Sequence, residues 1–158
     1  MSGLAIALRE VRDTDYEALF AIEEEREGNL MAAFTPIEAQ RGAFDQRWTK
    51  IMANDRWVKR VIVLGGAVVG SIASFNREEE WEITYRIGRA WWGRGITTSA
   101  VGLFLPLVPQ RPLMARAAMD NAPSIRVLEK NGFRHVGTGK YFAESRGREI
   151  DEVILRLD

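Results

Sequence analysis

Trp92-Gly93-Arg94-Gly95-Ile96-Thr97-Thr98 joins two runs of different periodicity. Before it, Trp81 to Ile87 is short, apolar and β-like; after it, Ser99 to Leu107 repeats apolar residues at helical spacing. The order strand, glycine loop, helix decides how the middle of the chain is built. A helix start leaves about four backbone N–H groups without intrahelical partners and carries roughly half a positive charge. Glycines ahead of it let a ligand approach the backbone, so the stretch suits a phosphate or pyrophosphate. Thr97 and Thr98 are placed to cap the helix or to add hydroxyl donors. The same residues equally suit an ordinary strand-to-helix turn that needs two glycines. Two nucleotide motifs fail here. A P-loop requires Lys and then Ser or Thr after its second glycine, but Gly93 is followed by Arg94-Gly95. The dinucleotide fingerprint requires Gly or Ala where Thr98 stands.

Composition narrows the classes. At 158 residues the chain is expected to form one domain with a real core. Acidic and basic residues balance at 22 each and no basic patch stands out, which argues against a nucleic-acid partner. Without cysteine there is no disulfide, no thiol nucleophile and no Cys-ligated zinc. A single histidine, His135, does not make a metal site, and it reads as a surface strand residue. No apolar run reaches membrane-spanning length and no signal peptide is evident, so a cytoplasmic protein with no membrane partner is expected.

Taken in order, Ala5 to Val11 reads as a strand, and Asp13-Thr14-Asp15 caps a helix running to about Glu25. Gly28 to Thr35 reads as a loop. Thr35-Pro36 then reads as the start of a second helix, striped by Ile37, Phe44, Trp48 and Ile51. Val61 to Leu64 and Ala67 to Phe75, joined by Gly65-Gly66, predict a β-hairpin. Arg77 to Glu80 is a tight polar connection into the strand Trp81 to Ile87, antiparallel to its predecessor. The helix after the glycine loop ends near Pro106 and Pro109. Pro112 to Ala118 is a strand, Asp120 to Asn131 is a capped helix stopped by Gly132, and His135 to Ala143 with Glu149 to Leu157 form a closing pair of strands. The order β-αα-βββ-α-β-α-ββ predicts an α/β fold: a mixed sheet of about seven strands with helices on both faces.

A second motif lies on the last helix. Asn121-x-x-Ser124 is followed, after Ile125-Arg126-Val127-Leu128-Glu129-Lys130-Asn131, by Gly132-Phe133. Asn is a good cap, Ile125 and Leu128 make a buried side, and an ordinary capped helix ending in Gly would read the same way. Asn121 and Ser124 are three apart and share a helix face. Asn121 offers both a donor and an acceptor.

Together the two motifs, each between the right elements, resemble the GNAT N-acetyltransferases. The loop is similar to their acetyl-CoA pyrophosphate loop, although Ala90 stands where the family usually has Gln or Arg, with Arg89 one residue early. The Asn121 to Phe133 stretch is similar to the ribosomal-protein N-terminal acetyltransferases and their relatives. The similarity spans about Leu8 to Leu157, the first half in pattern only.

The resemblance implies a GNAT-type, mostly antiparallel sheet in which two parallel neighbours part to admit the pantetheine arm of acetyl-CoA, the co-substrate, with no metal. It implies cofactor contacts at Ile87, Trp92, Gly93, Arg94, Gly95, Ile96, Thr97, Thr98, Asn121 and Ser124. Arg94, Arg126 and Lys130 are candidates for the CoA phosphates, or are simply solvated charges. Many family members place a thiolate-protonating tyrosine seven residues after the Asn; here that position is Leu128, leaving Ser124 as the substitute and Tyr141 as a weaker candidate. A backbone N–H around Arg86-Ile87 would polarise the thioester carbonyl. Glu82 would take the acceptor's proton directly or through water, unless it is only a surface carboxylate on a half-exposed strand; Glu144 is a further carboxylate on the acceptor side. Met31, Phe34 and Trp48 either line an acceptor pocket or pack in the core. The expected activity is transfer of an acetyl group to a primary amine, on a protein N-terminus or a small molecule, by direct attack in a ternary complex, in a monomer or homodimer. The alternative is a non-catalytic acyl-CoA-binding regulatory or sensor module.

Overall fold

The computed structural model describes residues 5–33 and 36–158. Its strands form one sheet in the order β1-β2-β3-β4-β5-β7-β6. These are β1 (Ile6–Arg9), β2 (Lys59–Leu64), β3 (Ala67–Arg77), β4 (Glu80–Ile87), β5 (Leu113–Ala118), β6 (Arg134–Ala143) and β7 (Arg148–Leu157). Each pairing is antiparallel except β4 with β5. The predicted α/β class, the strand count and the largely antiparallel sheet are all present.

Alternation along β4 sorts the molecule into two sides. Trp81, Ile83 and Ile87 join Ile96, Val101, Phe104 and Leu128 in the main core, beneath α4 (Ile96–Phe104) and α5 (Ala122–Lys130). On the opposite face, α1 (Tyr16–Glu23) and α3 (Arg41–Ala53) pack Leu19, Phe44 and Trp48 against Val61. Trp48 is buried there beside Phe44 and Tyr16, so it is a core residue rather than a pocket wall. Phe34 and Thr35 lie outside the described residues.

The largest departure of the first half from the sequence reading lies between α1 and α3. Residues 26–32 form a third helix, α2 (Arg26–Ala32), where a loop was expected. The helix exists because of a buried polar knot. Asn29 is fully buried and donates to the carbonyls of Glu23 (2.9 Å) and Ile37 (3.0 Å), while Arg86 from β4 donates to its Oδ1 (2.9 Å). Arg86 also donates to the carbonyls of Ile22 and Glu25, closing the end of α1. Gly28 is required by this approach, since a Cβ there would meet the Arg86 guanidinium at 2.3 Å. The bond from Asn29 holds Ile37 outside the next helix, which accordingly starts at Arg41 and not at Pro36.

Smaller corrections follow the same logic. The Asp13-Thr14-Asp15 turn is 3-10, and Asp15 pairs with Arg9 at 2.8 Å, joining β1 to α1. Helix α1 ends at Glu23, before the expected Glu25. Among the described residues no helix is long and apolar enough to cross a membrane.

Candidate active site

β4 and β5 are paired only at Trp81 with Leu113 and Glu82 with Met114. Beyond that point the two strands part. The side of β4 that faces the opening follows from its register with β3. Gly88 donates to the Val69 carbonyl at 2.8 Å, and hydrogen-bonded pairs alternate along an antiparallel ladder. Thr84 and Arg86 therefore turn their backbone groups to β3. Tyr85 and Ile87 turn theirs toward the gap, and the indole of Trp92 donates to the Ile87 carbonyl there at 3.1 Å.

At the mouth of the gap stands the glycine loop. Helix α4 begins at Ile96, three residues earlier than its apolar periodicity suggested, so Thr97 and Thr98 belong to its first turn and do not cap it. The capping position is Gly95, at φ +74°, which has no side chain to offer. The first helical bond recorded runs from Ser99 N–H to the Gly95 carbonyl, at 3.1 Å, which leaves the N–H groups of Ile96, Thr97 and Thr98 outside the helical ladder. A Cβ built at Gly93 or Gly95 would meet nothing within 4 Å. No protein atom crowds the loop on the Cβ side of either glycine. Arg94 lies over the ring of Trp91, 5.4 Å from its centroid.

Helix α5 closes the other wall. Asn121 caps it, its Oδ1 accepting from Ser124 N–H at 3.3 Å while its Nδ2 donates to the Met31 carbonyl of α2, also at 3.3 Å. Gly132 stops the helix as expected, and Phe133 N–H reaches back to the Leu128 carbonyl. Asn131 ties the two walls together, donating to the carbonyls of Val127 and of Thr98 in α4. Leu128 is buried in the core, so the position at which the family resemblance would place a tyrosine is filled by packing. The Ser124 hydroxyl lies 2.7 Å from the hydroxyl of Tyr85, a residue the sequence analysis did not single out. Tyr141, the other hydroxyl considered, packs with Ala33, Ala118 and Ile150, away from the cluster that holds Leu128.

Glu82 sits at the floor of the gap, at the last β4/β5 pair. Only 3% exposed, it is not the surface carboxylate that one reading allowed. Its oxygens lie 3.1 Å from Arg77 and 3.4 Å from Arg116, and Arg116 reaches on to Glu152 at 2.9 Å. Burial pushes the Glu82 carboxyl up from its ordinary range, and the two arginines offset only part of that rise. Glu144 is exposed in the β6–β7 turn. His135 lies on the surface of β6, 3.4 Å from Glu129.

The sequence matches the acetyltransferase (GNAT) domain family over residues 6–134. The chain belongs to the GNAT acetyltransferases. It is 24% identical over 156 residues to an L-amino acid N-acetyltransferase of Escherichia coli strain K12, an alignment covering 92% of this chain and 93% of the relative. The ribosomal-protein-alanine N-acetyltransferase of Brucella melitensis superposes with a TM-score of 0.81 at 22% identity, covering 96% of this chain and 98% of the other. A spermidine N-acetyltransferase from Vibrio cholerae, solved with CoA and spermine, gives 0.78 at 14% identity, covering 96% and 95%. The GNAT fold is thereby placed over nearly the whole chain, and the chain is a GNAT-type N-acetyltransferase by its family.

Proposed function

We propose that this GNAT protein transfers an acetyl group from acetyl-CoA to a primary amine, with both substrates bound at the parted β4 and β5 strands. The observation that carries the proposal is the alignment of three features on one path. An open glycine cradle precedes the N-terminus of α4, unpaired backbone on β4 follows, and the Asn121/Ser124 end of α5 faces it. The pyrophosphate fits the Ile96 to Thr98 amides, and the loop from Trp92 to Gly95 lets it reach them. The Ile87 N–H is turned the right way to meet the pantetheine arm. Acetyl-CoA supplies the thioester whose carbonyl carbon the amine attacks.

The chain's own groups then divide the work. The Tyr85 and Ile87 amides lie where they can donate to an oxygen that gains negative charge. Ser124 donates toward the departing sulfur. Glu82, buried at the last β4/β5 pair, takes the proton from the nitrogen directly or through water. The relatives' names, which include an L-amino acid, a ribosomal-protein alanine and spermidine, support an amine acceptor. Release of free CoA thiol, followed across amino acids, polyamines and peptides with free N-termini, is expected with at least one class. If no amine raised release above the rate in buffer, the transferase assignment would fall.

Glu82 gives a pH-dependent test. It accepts a proton only when ionised, and its carboxyl titrates above the ordinary glutamate value of about 4.3. The acid limb of the rate profile should therefore lie above that value, with activity rising as pH increases through it. Glu82→Gln should remove this limb and lower turnover about tenfold, less than the ~10²–10⁴ of a base in direct contact. An unchanged profile in the Gln variant would exclude Glu82 as the base.

A further inference from the structure

We infer that Tyr85 is a positioning residue for Ser124: its phenol donates to the serine Oγ and leaves the serine hydrogen directed at the sulfur of bound CoA. The inference rests on the acetyl-CoA reading above and extends it to a residue that no sequence motif marks. The geometry gives two acceptors to one phenolic hydrogen. Ser124 Oγ is 2.7 Å from the Tyr85 hydroxyl and the Ser124 carbonyl is 3.3 Å away. The shorter contact takes the hydrogen. A phenol is also much the stronger acid of the two hydroxyls, so the favoured sense is Tyr85 donating and Ser124 accepting.

A serine hydroxyl normally rotates among several partners. Here the bond from Tyr85 occupies one lone pair, and the first turn of α5 fixes Cβ, since the Ser124 N–H is held by Asn121 Oδ1. The remaining freedom points the hydroxyl hydrogen away from the phenol. Tyr85 stands three residues beyond the last β4/β5 pair, beside the opening, so its ring forms part of that wall. Burial pushes the phenol up to about 12, with the bond to Ser124 countering only part of the rise. It stays neutral at working pH and serves as a donor, not as a base.

The chemistry balances without any transfer from the tyrosine. The C–N bond forms, the C–S bond breaks, and the electron pair of that bond goes to sulfur. The proton lost by nitrogen goes through Glu82 and water to solvent, and the thiolate takes one proton back from solvent. Ser124 stabilises the sulfur anion by a hydrogen bond during the interval, and Tyr85 holds that hydrogen bond in line.

The test is a titration of the bound thiol, which needs no knowledge of the acceptor. With CoA saturating, thiolate absorbance is followed against pH in the parent, Tyr85→Phe, Ser124→Ala and the double variant. Burial pushes Tyr85 and Tyr141 up to about 12 and raises Tyr16, and the same titration without CoA is subtracted to remove any tyrosinate signal. In the parent the bound thiol is expected to titrate below the ~8.5 of a free thiol. Each single variant should return it toward that value, and the double variant should go no further than Ser124→Ala alone. With an acceptor in hand, Tyr85→Phe should lower kcat about tenfold at unchanged KM for acetyl-CoA, an effect below the ~10² expected for loss of the Ser124 hydrogen bond that it orients. A shift in Ser124→Ala with none in Tyr85→Phe would overturn the inference and leave the acetyl-CoA reading standing. A parent thiol titrating as in free CoA would overturn the role of both hydroxyls. Failure of the parent to bind CoA at all would defeat the underlying reading and this inference with it.

Discussion

Gly95→Trp should lose acetyl-CoA binding by about two decades in Kd or more, about 2.8 kcal/mol, while Gly95→Ala keeps most of it. The difference between the two variants carries the argument. Both place a side chain on a residue at φ +74°, and both therefore bear the left-handed strain of roughly 1–2 kcal/mol. That strain lowers the melting temperature equally and cannot by itself separate them. A methyl at Gly95 meets no protein atom within 4 Å, so it leaves the cradle open. An indole projects into the same space and covers the Ile96, Thr97 and Thr98 amides, where the pyrophosphate would sit. Calorimetry on the two variants reads the outcome. Equal affinities for Trp and Ala would show that the ligand does not use this loop. A loss of folding in both would be visible first in the melting curve, and the adjacent Gly93→Ala, also open on its Cβ side, then carries the comparison.

The legible parts of this chain are those written in local patterns. The glycine loop, the strand before it and the Asn-capped helix are each signalled within a dozen residues, and all three stand where they were expected. Alternation along Trp81 to Ile87 even assigns Tyr85 and Arg86 to opposite faces. It does not say what each face meets. Tyr85 finds its partner 39 residues away and Arg86 finds Asn29 at 57, distances over which a sequence pattern carries no record. Helix α2 was missed for the same reason. Its Gly28 and Asn29 have low intrinsic helix propensity, and the segment is helical where a half-buried arginine donates to a buried asparagine. The surface reading of Glu82 failed because alternation alone cannot tell a solvated face from one covered by helices. The charged neighbours Arg77 and Glu80 hinted at solvent, while Arg116 and Glu152, from two other strands, were what covered and paired the site.

Ser124→Ala is expected to lower the turnover number about 10²-fold at saturating acetyl-CoA, because the thiolate loses the hydrogen bond that stabilises it, an effect no larger than the lower end of general-acid assistance. The step concerned is departure of the thiolate. Leu128, at the position where the family resemblance would place a tyrosine, is sealed in the core at 1% exposure and carries no acidic group. Tyr141 packs in a separate cluster with Ala33 and Ile150, and His135 lies on the outer strand beyond the helix stop. Beside the gap stand the Ser124 hydroxyl and the Tyr85 hydroxyl 2.7 Å from it. The effect is modest because a thiol near ~8.5 leaves readily and needs only partial stabilisation. Stability should not change much with it. The cap of α5 uses the Ser124 backbone N–H and the Asn121 side chain, both of which survive in the alanine variant. A fall in kcat with the melting temperature and the KM for acetyl-CoA held is therefore the signature of a lost donor. Turnover within about twofold of the parent, far short of the range for an acid, would remove Ser124 from the mechanism and leave the thiolate to solvent.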